Sequence, residues 1–540
     1  MRFFLLAAAA AAFAASPSMA QPATPPKLIV AISVDQFSAD LWDEYRPHFT
    51  AGLARLGSGI AFHNGYQSHN ATETCPGHST ILTGSHPSRT GIIANLWVDL
   101  GQQRSDKAVY CAEDERVPGT NSLAYSVSPL HLMVPTLGEW LKGQHPGSRN
   151  VAVAGKDRAA VMMTGHKADQ RWYWASNKFV TDLKGVAAPQ TLAKANEAIA
   201  KALLEARQPL QSPPLCQAKA KSIPIEGGGK PVGSGAFARS AGDQAAFRAS
   251  PELDGDTLAI AAGLVDEMQL GRGADPDVLA ISLSATDYVG HSYGTEGQEM
   301  CLQLLALDRE LGDFFAFLDG RGIDYSVVLT ADHGGLDVPE RQRAAGHPDA
   351  ARVDPALNAG KLGLELVKKY KLPGVGLYGE SFGDIYVDRA LTPTQRKLVL
   401  DGAVAAYRTH PQVEAVFTAG QLAATPVPSG SPVGWSLIQR ARASYYPGRS
   451  GDFVVLLKRY VTPIADTSRY VATHGSPWDY DRRVPILFWR KAMTPLALDT
   501  PIETTDILPT LAATIGLAIP AGSIDGHCIA AVAGDQCPPR

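Results

Sequence analysis

The chain has 540 residues, 45% hydrophobic and 19% charged, with a formal net charge of −4. That apolar fraction excludes wholesale disorder, and the 51 glycines and 38 prolines follow no period, which excludes a fibrous repeat. With 49 basic against 53 acidic residues, nothing advertises a nucleic-acid or anionic-membrane partner, so any anion must be gripped locally.

In chain order, Arg2, an apolar run over 3–15 and small residues at Ser18 and Ala20 read as a secretory signal peptide spanning 1–20. Cleavage near Ala20 predicts a bacterial protein that is periplasmic or secreted. No later stretch reaches the roughly 18 uninterrupted apolar residues that a membrane span needs. Export makes Cys75, Cys111, Cys216, Cys301, Cys528 and Cys537 candidates for disulfides. Cys528 and Cys537, close together near the C-terminus, are the expected pair, and the other pairings stay open.

Residues 28–34 form a β-rich run with no polar face, as a strand buried on both sides of a parallel sheet requires. Similar runs lie at 151–154, 278–283, 327–329, 453–457 and 484–488. Helical patterns intervene at 190–207 and 296–318, from Thr392-Pro393 to about Tyr407, and at 503–517 despite Pro509. The alternation predicts an α/β, doubly wound fold with a mostly parallel central sheet and helices on both faces. Residues 21–540 read as one catalytic domain, with insertions or caps near 166–250 and 339–446. A monomer is expected.

Open parallel sheets gather function at the carboxyl ends of their strands. Those ends supply Asp35, then Asp287 and His291 four residues apart, then Asp332-His333; His474 precedes the run at 484. Asp and His suit a borderline divalent cation, and zinc takes both readily. Three of each can build two sites with open positions, and two such ions about 3.5–4 Å apart clamp the attacking and leaving oxygens of an in-line displacement. Taken singly, each residue has a bland explanation as a cap, a turn former or a surface histidine; together they point to one centre.

The nucleophile candidate lies in Thr72-Glu73-Thr74-Cys75-Pro76-Gly77-His78, where Pro76 and the following apolar residues predict a helix starting near Cys75. Thr74 would sit at its N-terminus, where free N–H groups favour a phosphate. A Thr hydroxyl needs a base or a metal to react at neutral pH. Its alternative role is a simple N-cap. Cys75 is the rival nucleophile, but position 79 is Ser, so the Cys-x-Pro-x-Arg pattern of type I sulfatases is absent.

The order Asp35, Thr74, Asp287-x3-His291, Asp332-His333, His474 resembles the two-zinc site of the alkaline phosphatase superfamily, over nearly the whole mature chain. Thr in a Thr-x-Pro-Gly-His context resembles its nucleotide pyrophosphatase/phosphodiesterase branch rather than the Asp-Ser-Ala nucleophile of other alkaline phosphatases. Asn95, Lys156 and Arg158 are similar to the phosphate-clamping set of the phosphate-irrepressible alkaline phosphatases. The resemblance implies two zinc ions, one held by Asp287, His291 and His474, the other by Asp35, Asp332, His333 and Thr74. It implies an exported alkaline phosphatase that hydrolyses phosphate monoesters through a phosphothreonine intermediate, with Asn95, Lys156 and Arg158 binding the substrate. A monoester dianion carries one more charged oxygen than a diester, and two cations after the run at 151 suit it. A phosphodiesterase or nucleotide pyrophosphatase is the alternative enzyme; an exported metal- or phosphate-binding protein with a degenerate site is the alternative from another class.

Overall fold

The computed structural model describes residues 24–539; the signal-peptide reading of 1–20 lies outside the described residues. A ten-stranded sheet organises the molecule. Its strands are β1 (Leu28–Val34), β2 (Ile60–Tyr66), β3 (Asn150–Ala154), β4 (Gln170–Ala175), β5 (Lys178–Val180), β6 (Asp277–Leu283), β7 (Tyr325–Thr330), β8 (Arg483–Arg490), β9 (Leu496–Leu498) and β10 (Ile502–Glu503). Their order is β9-β2-β8-β7-β1-β6-β3-β4-β5, with β10 also on β2. The centre is parallel, with β1 between β6 and β7 and β3 on the far side of β6. Every residue of β1, β3 and β6 is buried, although successive side chains point to opposite faces. Both faces are therefore covered, which explains why these strands read as unbroken apolar runs. Burying each such Leu, Ile or Val is worth about 1.5–3 kcal/mol.

Two departures from the sequence pattern matter for the site. β8 runs antiparallel to both β2 and β7, so its first residues lie at the same edge as the last residues of β1, β6 and β7. The run at 453–457 is not in this sheet. Phe453–Leu457 pairs antiparallel with Gly383–Val387 and Val413–Thr418, and Leu377–Tyr378 completes a separate four-stranded sheet. That sheet has its own core, including Leu366, Ile385, Val399, Tyr407 and Phe453. An apolar run identifies a buried strand but not the sheet that buries it.

The 166–250 stretch opens with β4 and β5, which extend the main sheet, before the helix Gln190–Leu203. The predicted Thr392 cap is present, closing a capping box with Gln395 on the helix Pro393–Thr409. Pro509 falls in the first turn of Ile507–Thr514, where its missing N–H would have had no intrahelical partner. The cysteines pair as Cys75–Cys111, Cys216–Cys301 and Cys528–Cys537. Among the described residues no helix is long and apolar enough to cross a membrane.

Candidate active site

The ends of β1, β6 and β7 lie side by side because the three strands are in parallel register, and each delivers its acid to one spot. Asp35 follows β1 directly. β6 feeds the helix Ala285–Tyr293, whose first and last turns carry Asp287 and His291 on one face, four residues apart. Asp332 and His333 follow β7. His474 comes from the loop that leads to β8; its Nδ1 lies 2.8 Å from the Thr72 carbonyl oxygen, which turns Nε2 toward Asp287.

Thr74 is the first residue of helix α1 (Thr74–Ile81), whose N-cap, Glu73, gives no side-chain cap. The backbone of α1 lies against the end of β7: a Cβ on Gly77 would sit 2.0 Å from the Asp332 carbonyl oxygen, so this approach requires glycine. Helix α2 (Asp157–Thr164) follows β3 with Lys156 as its N-cap and Arg158 in its first turn. Arg158 Nη2 donates to Thr74 Oγ1 at 3.3 Å and Nη1 to the Tyr110 hydroxyl at 3.5 Å. Tyr110 and Tyr125 in turn donate to the two oxygens of Asp157. Asn95 accepts from the Cys75 amide at 2.8 Å and donates its own backbone N–H to Glu73 at 2.7 Å. The Cys75–Cys111 disulfide ties the start of α1 to the residue after Tyr110, and it occupies the rival nucleophile.

All seven predicted metal-ligating residues and the three predicted substrate contacts thus come to one edge, and two sets of ligand atoms draw together there. Ligand atoms of Asp287, His333 and His474 lie within 4.8 Å of one another, as do those of Asp35, His78 and Asp332. His291 Nε2 and His474 Nε2 approach the same Asp287 oxygen at 3.3 and 3.4 Å. His333 stands between the groups, its Nε2 at 3.2 Å from Asp332 and its ring stacked on His474. Lys156 Nζ lies 2.9 Å from Asp35 and 2.5 Å from Asp287, bridging the two sets.

The electrostatics are those of charge packed without water. Burial opposes ionisation of Asp35, but Lys156 and His78 together outweigh it and hold the carboxyl below its usual value. Asp287 is held well below its usual value against burial by His291 and Lys156, and Asp332 by His333 and His78. Burial and the neighbouring His333 lower His474 to about 4, which keeps it neutral and able to offer a lone pair. Asp35 Oδ2, Asp287 Oδ1, Asp332 Oδ2 and His333 Nε2 are buried without a hydrogen bond. Each of them has only ion-pair neighbours at 2.9–3.4 Å, and four such atoms turned to one spot suit a bound cation. The donor set, carboxylate and imidazole without thiolate, suits zinc or a similar cation.

A profile for the type I phosphodiesterase/nucleotide pyrophosphatase family matches residues 29–476. The chain belongs to that family, a branch of the alkaline phosphatase superfamily. Alkaline phosphatase PhoK of a Sphingomonas species is 55% identical over 95% of this chain and 93% of its own. The crystal structure of wild-type alkaline phosphatase PafA matches with a TM-score of 0.82 at 25% identity, over 95% of this chain and all of that one. A PafA variant with one Thr, one Asn, one Lys and one Arg replaced matches with a TM-score of 0.81 at 25% identity over the same shares.

Three further participants of this phosphodiesterase-family site carry little or no sequence signal. His78 lies one turn after Thr74 on the same face of α1, and that four-residue spacing was the available signal. Burial opposes its charge, yet Asp332 and Asp35 raise it to about 9, so its ring lies as a cation between the two acids while its nitrogens meet the Thr74 carbonyl and the Ser282 hydroxyl. Glu73 precedes the nucleophile candidate, and nothing in the sequence shows that it holds the Asn95 backbone. Tyr110, which steadies Arg158, lies in a short strand of a separate two-stranded sheet and has no signature at all.

Proposed function

We propose that the protein is an exported alkaline phosphatase that hydrolyses phosphate monoesters with two zinc ions through a phosphothreonine intermediate. The observation that carries this reading is the pair of cations beside Thr74: partly buried Arg158 on its hydroxyl, and buried Lys156 between Asp35 and Asp287. In the PafA variant, the four replaced residue types occur in the same order as Thr74, Asn95, Lys156 and Arg158, with identical Thr–Asn and Lys–Arg spacings.

Asp287, His291 and His474 would hold one ion and Asp35, Asp332, His333 and Thr74 the other; His333 is within reach of either set. When bound, the ions lower the pKa of the nucleophile and offset charge on the departing oxygen. Thr74 Oγ1 attacks phosphorus in line, an O–P bond forms, and the ester P–O bond breaks to release the alcohol. Water then attacks the same phosphorus and releases Thr74 and inorganic phosphate. Arg158, Lys156 and the Asn95 side-chain amide hold the non-bridging oxygens throughout, so catalysis is mainly positioning and charge stabilisation. A cation held by Asp35 and Asp287 would offset the charge that Lys156 now neutralises and leave its ammonium available to the phosphate.

The experiment compares kcat/KM for an aryl phosphate monoester and a diester in the wild type and in the Lys156→Ala/Arg158→Ala variant. A charge-assisted contact contributes about 1.5–3 kcal/mol, so the variant should lose on the order of a hundredfold or more on the monoester and far less on the diester. Equal losses would make these residues structural and move the phosphodiesterase alternative ahead.

A further inference from the structure

Beside Thr74, on the His474 side, a cavity of about 330 Å³ opens between the two-stranded sheet that carries Trp97 and the four-stranded sheet. Glu73 and Gly475, the neighbours of Thr74 and His474, line its inner end, and the Phe382 ring approaches Gly475 from the four-stranded sheet. Its walls include Trp97, Tyr378, Phe382 and Tyr386.

The charge in this cavity is unexpected for an enzyme that binds anions. Glu73, Glu380 and Asp384 all line it, and among the described residues none forms a salt bridge. Glu73 Oε2 accepts from the Asn95 backbone and Asp384 Oδ1 from the Gly451 backbone, which leaves one oxygen of each without a hydrogen bond. Burial pushes Asp384 up to about 6, so it is ionised in alkaline solution. Asn70, only 5% exposed, lines the same cavity with its amide oxygen unpartnered. Beyond the cavity, Arg158 and His333 are the cations whose field reaches Glu73, and both face the phosphate position. Carboxylates left unpaired here repel any phosphate ester whose leaving group is neutral or anionic. They attract one that carries its own cation, and aromatic walls add a cation–π contribution.

We infer that this cavity is a leaving-group subsite for phosphate monoesters whose alcohol bears an organic ammonium on an apolar or aryl spacer. The inference rests on the monoesterase reading above and adds its substrate class. The volume suits a single ring with a short aminoalkyl arm, at the low end for a small-molecule site. The departing oxygen leaves on the side of Asp287, His291 and His474, so the alcohol extends past Gly475 into the cavity.

The test uses three aryl phosphates matched in size, with 4-(2-aminoethyl), 4-propyl and 4-(2-carboxyethyl) substituents, the charge being remote from the ester. The zinc-loaded wild type should show kcat/KM falling in that order, with the ammonium ester about tenfold above the propyl ester. Asp384→Asn/Glu380→Gln keeps an oxygen for the Gly451 amide and removes two charges. It should bring the ammonium-to-propyl ratio to about threefold or less, because intrinsic reactivity cancels in that ratio. The propyl ester rate should hold at the wild-type value or rise above it as the repulsion is relieved, which shows that the variant folds. Equal rates on the ammonium and propyl esters in the wild type, or a ratio unchanged by the variant, overturn the subsite while leaving a working monoesterase. Turnover of none of the three esters overturns the monoesterase reading and the subsite with it.

Discussion

Two clusters of histidine and carboxylate lie near the start and the continuation of α1, and they differ in how far the chain itself satisfies them. At the catalytic edge, atoms of Asp35, Asp287, Asp332 and His333 lack hydrogen bonds. His86 itself, by contrast, is partnered within the chain, although Trp435 Nε1 and both nitrogens of the nearby His69 are not. His86 Nε2 lies 2.8 Å from Glu503, its backbone N–H donates to Asp525 at 2.9 Å, and Arg89 Nε donates to the other Asp525 oxygen at 2.9 Å. Ser68 donates to the same Glu503 oxygen that His86 approaches. Residue types are alike in the two places, but Glu503 and Asp525 are partly exposed where Asp35, Asp287 and Asp332 are buried. What separates a site from a staple is therefore whether the polar atoms have found partners within the chain. The first cluster is completed by something bound; the second holds β10 and the C-terminal segment to the loop after α1.

The sharpest way to break this comparison is to remove the nucleophile candidate from the first cluster. Thr74→Ala should reduce turnover by on the order of 10³-fold or more and trap no phosphoprotein on acid quench with labelled monoester. Cys75→Ala/Cys111→Ala should retain the chemistry, with stability falling through loss of the crosslink. A reversed ranking, measured by kcat, would make Thr74 a helix cap. Chelation comes next. It should abolish turnover and lower Tm, and zinc should restore both better than magnesium, because a ligand that binds only the folded state stabilises it by mass action. Full activity after exhaustive chelation, with no metal by elemental analysis, would leave the orphaned atoms unexplained.

Much of the first cluster was legible because its chemistry is written at strand ends. Asp35, Asp332 and the Asp287/His291 spacing each follow a run whose burial on both faces made it readable. Legibility failed where the fold, not the local pattern, decides. The run at 453–457 satisfies the same hydrophobic criterion as β1 yet pairs elsewhere, and β2 hid because His63 and Asn64 interrupt its apolar run. That His333 lies within reach of both Asp332 and the Asp287/His474 pair depends on how two imidazoles stack, which no spacing encodes. Tyr110 and Glu73 act by hydrogen-bonding to residues that themselves carry the motif, and such support is invisible until the chain is folded. The His86 cluster illustrates the converse: its partners are more than 400 residues away in sequence, so nothing marked it as paired.

The smallest expected effect on activity comes from that second cluster, and its signature is in stability. Burial disfavours the charged imidazole, but Glu503 and Asp525 more than compensate and raise His86 from its ordinary 6.5 to about 10. A group whose folded pKa is raised contributes stability that is fully present below its unfolded value and is lost as pH rises through the folded one. His86→Gln should therefore be most destabilising near pH 6, by about 3 kcal/mol for breaking a buried pair, and the gap to wild type should close toward pH 10. Thermal melts of both proteins from pH 6 to 10 measure it, with kcat on a monoester holding at the wild-type value because no atom of His86 touches the catalytic edge. A gap that is constant across the range would mean His86 packs as a neutral ring against Trp435 rather than as a charge. A gap accompanied by lost turnover would mean that the two clusters are one, with α1 transmitting the change to Thr74.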